Sequence, residues 1–513
     1  MEGLVRFAAH TAEPALLALR RHVIDTLRTA QEDTGYLGTY RLESRITQVW
    51  DVHEQSYLLL ALVTDWRLFQ EEESLVAAQK LGAYLVEQLS DISLPTQYNE
   101  ETKSNLALEL TMLGLDRALL ALFQVTQDRR YLDFCVEKLQ LAQWSLPIVQ
   151  GRHTRIEGHA YAYLTRCLAQ LDLQQLTGAG SLTGQIWPAL DFLRRQQGLV
   201  ITGSCSQSEC WHSDQDGTGE LGETCTTAYL IRLYGRLLGI EGRGVYGDLL
   251  ERALYNALFA AQSPDGRKLR YYVPFEGKRA YWDRDTYCCP GNFRRIMSEL
   301  PELIYFTGAS ELLVNLYTAS SATITLDSGL GVAVVQETDY PNSGHVRLVI
   351  TPASRARFAV LLRLPSWCRQ YTVQVNGEAL SVTTSQGFLR LDRTWQRGDC
   401  VELELAMPWR YVSGSAKQLG RVAVLHGPMV FALNPTRNHL TGQDLQALAV
   451  AITTTQASLA DETLRPNGIS CRVRSAPSGQ EILLTEFPDP GNEATYFIPL
   501  NMMAAIRDEL LLP

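Results

Sequence analysis

The sequence has no run of about 18 consecutive apolar residues, the length a membrane-crossing helix needs, so no membrane span is expected. It has no cluster of Lys and Arg. Its 46 basic side chains are outnumbered by 56 acidic ones, for a net charge of −10. A general nucleic-acid binder carries a basic face, and that class is not expected. The opening MEGLVRFAAHTAEPALLALRR lacks a basic stretch followed by a continuous apolar one and a small-residue cleavage site. A cytoplasmic protein is therefore the expectation. Ten cysteines spread over 513 residues are too sparse for a disulfide framework, and reduced thiols are the default. There is no internal repeat strong enough to use, and no low-complexity linker.

What is present is enough apolar material, 46% of residues, for a sizeable core and two or three domains. From about residue 14 to 310, apolar residues recur at spacings of three and four, as in QSYLLLALVTDWRLF, GHAYAYLTRCLAQLDL and TAYLIRLYGRLLGI. Roughly ten to twelve such helices fit. Helix pairs in a ring suit that count, and a bundle or solenoid also satisfies the periodicity. Near residue 311 the period changes to two. HVRLVITPAS, FAVLLRLPSW, YTVQVNGEAL and CVELELAMPW alternate apolar with polar, and turn residues such as Asn376-Gly377 separate them. This is the pattern of a β-sandwich. The expected division is 1–310 helical, 311–435 sandwich, and 436–513 a β segment that completes the sandwich or is appended to it.

Two short pieces carry chemistry. Gly222-Glu223-Thr224-Cys225 and Tyr287-Cys288-Cys289-Pro290 together offer three thiols and a carboxylate. Zinc takes thiolate and imidazole ligands with an occasional carboxylate, in tetrahedral geometry. Adjacent cysteines bridge each other only with strain. Burial as small apolar side chains is the competing use of the same cysteines. Glu209 lies in a loop rich in Ser, Asp and Gln, where Asp214, Asp216 and Glu220 compete with it for any proton-transfer role. Trp50, Trp211 and Trp282 are candidates to stack on a sugar or to lie in the core.

The chain resembles the bacterial β-L-arabinofuranosidase family, over about residues 28–435. The likeness rests on phrases in a fixed order: Gln31-Glu32-Asp33-Thr34-Gly35-Tyr36-Leu37, Asp51-Val52-His53-Glu54, Glu157-Gly158-His159-Ala160, Gly222-Glu223-Thr224-Cys225, Leu250-Glu251-Arg252-Ala253-Leu254-Tyr255-Asn256, Cys288-Cys289-Pro290, and Val375-Asn376-Gly377-Glu378. The resemblance implies an (α/α)6 barrel catalytic domain followed by β-sandwich domains. It implies a retaining exo-glycosidase with zinc held by Glu223, Cys225, Cys288 and Cys289. It further implies Cys288 as nucleophile, Glu209 as acid/base, and His53, His159 and Tyr272 as residues that contact the sugar. A homodimer is expected on the same ground.

The chain departs from the family pattern in three places. Met112-Leu113-Gly114 stands where a histidine is usual. The loop between Glu209 and Glu223 is shortened. The stretch Trp282-Asp283-Arg284-Asp285-Thr286-Tyr287 carries three charges ahead of the cysteine pair. These changes leave open a different, branched or acidic sugar, with Arg279 or Arg284 available to a substrate carboxylate. They also leave open a non-catalytic carbohydrate-binding protein with a structural zinc, and a barrel enzyme of the epimerase or uronyl-hydrolase kind that needs neither metal nor Cys288.

Overall fold

The structure, a computed structural model, describes the chain except residues 48, 91–113, 146, 152–157, 179–185, 285–287, 442–444, 446–447, 452–457, 477–478, 501–504 and 513. Glu157, the pair Met112-Leu113 and the triplet Asp285-Thr286-Tyr287 thus lie outside the described residues. Two compact units are present. One comprises Met1–Phe192, Glu209–His212 and Pro290–Glu299; the other comprises Leu193–Ser208, Ser213–Cys289 and Leu300–Pro513.

The first unit is helical. Its main helices are α1 (Glu2–Thr11), α2 (Pro14–Ala30), α3 (Val49–Phe69), α4 (Glu72–Ser90), α5 (Leu115–Thr126) and α6 (Ala160–Thr177). α3 packs on α1, α4 and α5, and α5 packs on α6. α5 buries Leu115, Ala118, Leu119, Leu122 and Phe123, the i, i+3, i+4, i+7 stripe of an amphipathic helix. It also buries Asp116, whose charge meets Arg166 of α6 at 2.5 Å. Arg20 of α2 closes on Asp65 of α3 at 2.5 and 2.8 Å in the same way. A charge taken out of water is costly unless paired, so these pairs fix which helix faces meet.

The second unit opens with α7 (Thr224–Glu241) and α8 (Gly244–Arg252), followed by a π-helical turn over Ala253–Leu258. α7 is buried on every side from Thr224 to Gly235. Cys225, in the first turn of this buried stretch, thus lies inside the protein rather than on its surface.

The strands follow. A five-stranded sheet holds Tyr305–Gly308, Glu311–Val314, Ala356–Arg363, Phe388–Trp395 and Thr384–Ser385 in that spatial order. A six-stranded sheet holds Ser320–Thr325, Gly331–Thr338, His345–Pro352, Asp399–Leu405, Tyr371–Val375 and Glu378–Ala379. Burial along His345–Pro352 alternates strictly, and one core joins Val360, Leu362 and Leu391 of the first sheet to Val334, Leu348, Ile350 and Leu403 of the second. That is the inner face of a sandwich. The change to strands comes at Tyr305, six residues before the change of period in the sequence.

Residues 421–433 form two strands. Val422–His426 and Met429–Leu433 pair antiparallel across Gly427-Pro428. Met429–Leu433 then pairs with Glu481–Glu486, and Val422–His426 with Tyr496–Pro499. The C-terminal strands thus share an eight-stranded sheet, with its own apolar core, with the strands that begin at Trp409. Among the described residues no helix is long and apolar enough to cross a membrane.

Candidate active site

Gly222 takes φ +68°, a conformation that side chains rarely adopt, and the turn it makes sets Glu223 at the head of α7. The segment 270–273 is laced to this turn. Thr224 N–H donates to Tyr271 O at 2.9 Å, Thr224 Oγ1 to Arg270 O at 2.8 Å, and Val273 N–H to Leu221 O at 2.9 Å. Glu223 and Tyr272 form an antiparallel bridge.

Cys288 immediately precedes α9 (Cys289–Glu299), with Pro290 in the first turn. The Cys288 sulfur lies 3.0 Å from that of Cys225, and Cys225 lies 3.3 Å from Cys289. Glu223 Oε1 is 3.9 Å from the Cys288 sulfur, while Glu223 Oε2 accepts from Thr226 Oγ1 at 2.7 Å. One ligand atom from each of the four residues lies within 4.8 Å of all the others. Glu223, Cys225 and Cys289 are buried; Cys288 is only partly so. Burial pushes the Cys225 thiol well above its ordinary range, and its hydrogen bonds with the other two thiols push the same way. Burial acts likewise on Cys289.

Three soft sulfurs and one carboxylate oxygen at these separations match the donors and number of a tetrahedral zinc site. A packing role alone does not account for a buried carboxylate set among three thiols. The structure therefore brings together the four residues read as metal ligands, and they can hold a metal ion.

The Tyr271 hydroxyl lies 3.6 Å from the Cys288 sulfur. Tyr272 stacks its ring on Tyr271 with centroids 4.6 Å apart. Tyr271 was not singled out from the sequence. In the sequence it is one of two adjacent tyrosines with nothing to separate them, and the two rings lie against each other in the fold.

The helical unit carries the other candidates. Gly158, at φ +87°, precedes His159, which stands at the start of α6. His159 bridges Cys210, and Ala160 N–H donates to Glu209 O at 2.9 Å. His159 Nε2 lies 3.8 Å from Glu209 Oε2, with both side chains more than four-fifths buried. Glu209 holds φ +69° and Ser208 φ +47°, a left-handed pair without glycine. Strain of that kind persists only where the surroundings impose it, and it collects at functional sites. The competing acids are otherwise engaged or exposed. Lys417 takes Asp214 at 2.6 Å and Asp216 at 3.1 Å, and Glu220 faces solvent.

His53 packs between Trp50, at 5.4 Å, and Tyr57, at 4.7 Å. The Tyr57 and Tyr161 hydroxyls share a hydrogen bond of 2.8 Å, and the Tyr161 ring meets His159. Ring contacts and one hydrogen bond thus link His53 through Tyr57 and Tyr161 to His159, which faces Glu209. Tyr57 and Tyr161 were not read from the sequence, where their helical spacing is indistinguishable from core. Trp211 is core, packed on Tyr163 and Phe192. Trp282 is half-buried against Tyr271.

Comparison with known proteins follows the same lines. Residues 1–302 match the family model described as β-L-arabinofuranosidase, GH127 catalytic domain, and residues 311–407 match the GH127 middle domain. The non-reducing end β-L-arabinofuranosidase of Bifidobacterium longum subsp. longum is 26% identical over 494 residues, covering 84% of this chain and 73% of its own. Among solved structures, a GH127 β-L-arabinofuranosidase from Geobacillus stearothermophilus T6 aligns with a TM-score of 0.82 at 23% identity, covering 97% of this chain and 89% of that one. A GH127 β-arabinofuranosidase named BT3674 aligns at 0.81 and 22%, covering 99% and 88%. Likeness at this level shows the fold, an (α/α)6 barrel with β-sandwich domains after it, as expected from the sequence.

Proposed function

Since the chain belongs to the GH127 β-L-arabinofuranosidase family, and is thereby a glycoside hydrolase acting on carbohydrate, we propose that it releases terminal β-L-arabinofuranose with retained configuration, using Cys288 as nucleophile and Glu209 as acid/base. Membership in a family of hydrolases decides against a non-catalytic scaffold. The proposed division of the chain keeps catalysis within 1–310, with β segments 311–435 and 436–513.

One observation carries the assignment of the sulfur. Of three cysteines clustered with a carboxylate, only Cys288 is not buried. A zinc ion on Glu223, Cys225, Cys288 and Cys289 would supply deprotonation of the thiols, which burial otherwise opposes.

In the first step Glu209 donates its proton to the leaving oxygen as the Cys288 sulfur bonds to the anomeric carbon and the carbon–oxygen bond breaks. In the second, Glu209, now ionised, takes a proton from water. The water oxygen bonds to the anomeric carbon, and sulfur departs with the electron pair of the carbon–sulfur bond. Two inversions at one carbon restore its configuration. Tyr271 hydrogen-bonds to the sulfur and stabilises its negative charge before attack and on departure. His53 and His159 hydrogen-bond to sugar hydroxyls, and leaving such buried groups unpaired disfavours the wrong sugar.

The test is a panel of para-nitrophenyl furanosides and pyranosides, with the anomer of the released sugar read by NMR in the first turnovers. The β-L-arabinofuranoside is expected to be cleaved and the β anomer to appear first. First release of the α anomer would overturn the double displacement.

A further inference from the structure

Resting on the reading of Cys288 as the attacking sulfur, we propose that Trp282 and Arg284 form a second subsite, one that recognises a carboxylate-bearing leaving group. From the sulfur outward the contacts run in order. The Tyr271 hydroxyl is 3.6 Å from the Cys288 sulfur. The Tyr271 and Trp282 rings are 4.8 Å apart, tilted by 50°. The Arg284 guanidinium carbon sits 5.3 Å from the centre of the Trp282 ring. The Trp282 backbone is anchored by its N–H, which donates to Leu269 O at 2.9 Å.

The two rings are half-buried and the guanidinium is exposed, so the stack leads from the cluster toward solvent. An amphipathic ring of this kind offers area to the apolar face of a sugar at little entropic cost. Two ring systems stand between the sulfur and the charge. The charge is therefore offered to the part of the substrate beyond the sugar under attack.

The other arginines of this stretch are committed elsewhere. Arg279 is buried and donates to Phe487 O at 2.8 Å and Asp489 O at 2.6 Å. Arg270 is buried over the Tyr281 ring and donates to Ala260 O. Arg284 has no carboxylate partner among the described residues, and its sequence neighbour Asp283 is exposed beside it. A planar fork held over an indole is suited to a carboxylate, which it meets with two parallel hydrogen bonds.

The experiment compares two aryl glycosides of whichever sugar the enzyme hydrolyses, one with a para-nitrophenyl leaving group and one with that group carboxylated. The readout is the ratio of their kcat/KM values at low salt. The wild type is expected to favour the carboxylated substrate relative to Arg284→Gln by about three- to tenfold, the range of a partly exposed charged hydrogen bond. Arg284→Lys should keep part of the preference, Asp283→Asn should enlarge it, and added salt should shrink it. Equal ratios in wild type and Arg284→Gln would overturn the subsite, as would a variant that loses both substrates in the same proportion. Undiminished turnover by Cys288→Ser would instead overturn the reading of the sulfur, and the charge ratio is measured independently of it.

Discussion

The sulfur atoms of Cys225 and Cys288 lie 3.0 Å apart although 63 residues of chain separate them. Their contact brings the start of α7 and the residue before α9 together around Glu223. The buried Cys225 thiol holds its proton tightly, and a divalent cation is the group that removes it. Metal analysis of the purified protein should find about one zinc per chain, the content of a single four-ligand site. Stripping it with a chelator should abolish turnover and lower the melting temperature, since a ligand that binds only the folded state stabilises it. Full activity in a demonstrably metal-free protein would contradict the assignment.

The Tyr271 hydroxyl lies 3.6 Å from the Cys288 sulfur. A hydrogen bond to a charged group is worth about 1.5–3 kcal/mol, so Tyr271→Phe should lower kcat by about 10- to 100-fold while KM changes little. Tyr272→Phe is expected to cost less, and to act on KM if that hydroxyl meets substrate. Steady-state kinetics on one aryl glycoside separates the two, and a Tyr271→Phe enzyme with wild-type kcat would contradict the role.

Away from the site, Arg363 ties the sandwich to α8. It is fully buried, donates to Asp248 at 2.6 Å and Glu251 at 2.5 Å, and Tyr340 donates to the same Glu251 oxygen at 2.9 Å. Arg363→Leu leaves two buried carboxylates without their cation. Removing one partner of such a pair costs about 3–5 kcal/mol, so urea unfolding should shift markedly. A loss under about 1 kcal/mol would mean that the network is dispensable.

Acid should weaken the fold through His426. Burial, and then the charge of Arg410, lower its pKa to about 4. The unfolded chain takes up the proton near pH 6.5 while the folded one resists it, so the unfolded state binds more protons between these values. Stability from this residue is fully present above pH 6.5 and is lost as pH falls toward 4, by up to about 3 kcal/mol. Unfolding free energies across that window should fall less steeply for His426→Gln than for the wild type. Identical slopes would place the acid sensitivity elsewhere.

Much of this was legible in the sequence because each signal was local. The periods of 3.6 and two separated helices from strands to within a few residues, and Glu-x-Cys with Cys-Cys marked the cluster. What was not legible depends on which side chains meet across the fold. Tyr57 and Tyr161 read as core spacing until their hydroxyls are seen to meet. Tyr271 and Tyr272 are neighbours of one type whose rings pack together, and only the contact of the Tyr271 hydroxyl with the sulfur singles it out. The Glu209 backbone conformation is set by the bridges on either side of it, Gln207 to Leu221 and Cys210 to His159, rather than by its own residue type. Arg279 and Arg284 looked equivalent as charges; burial against three backbone carbonyls separates them.

The central claim is that the Cys288 sulfur bonds to the sugar. The most direct measurement is mass spectrometry of enzyme quenched in acid during turnover of a substrate with a fast leaving group, followed by peptide mapping. The account predicts a single glycosyl adduct on the peptide carrying Cys288, absent from Cys288→Ser. A glycosyl ester on Glu209 or Glu223, with Cys288 unmodified, would contradict it.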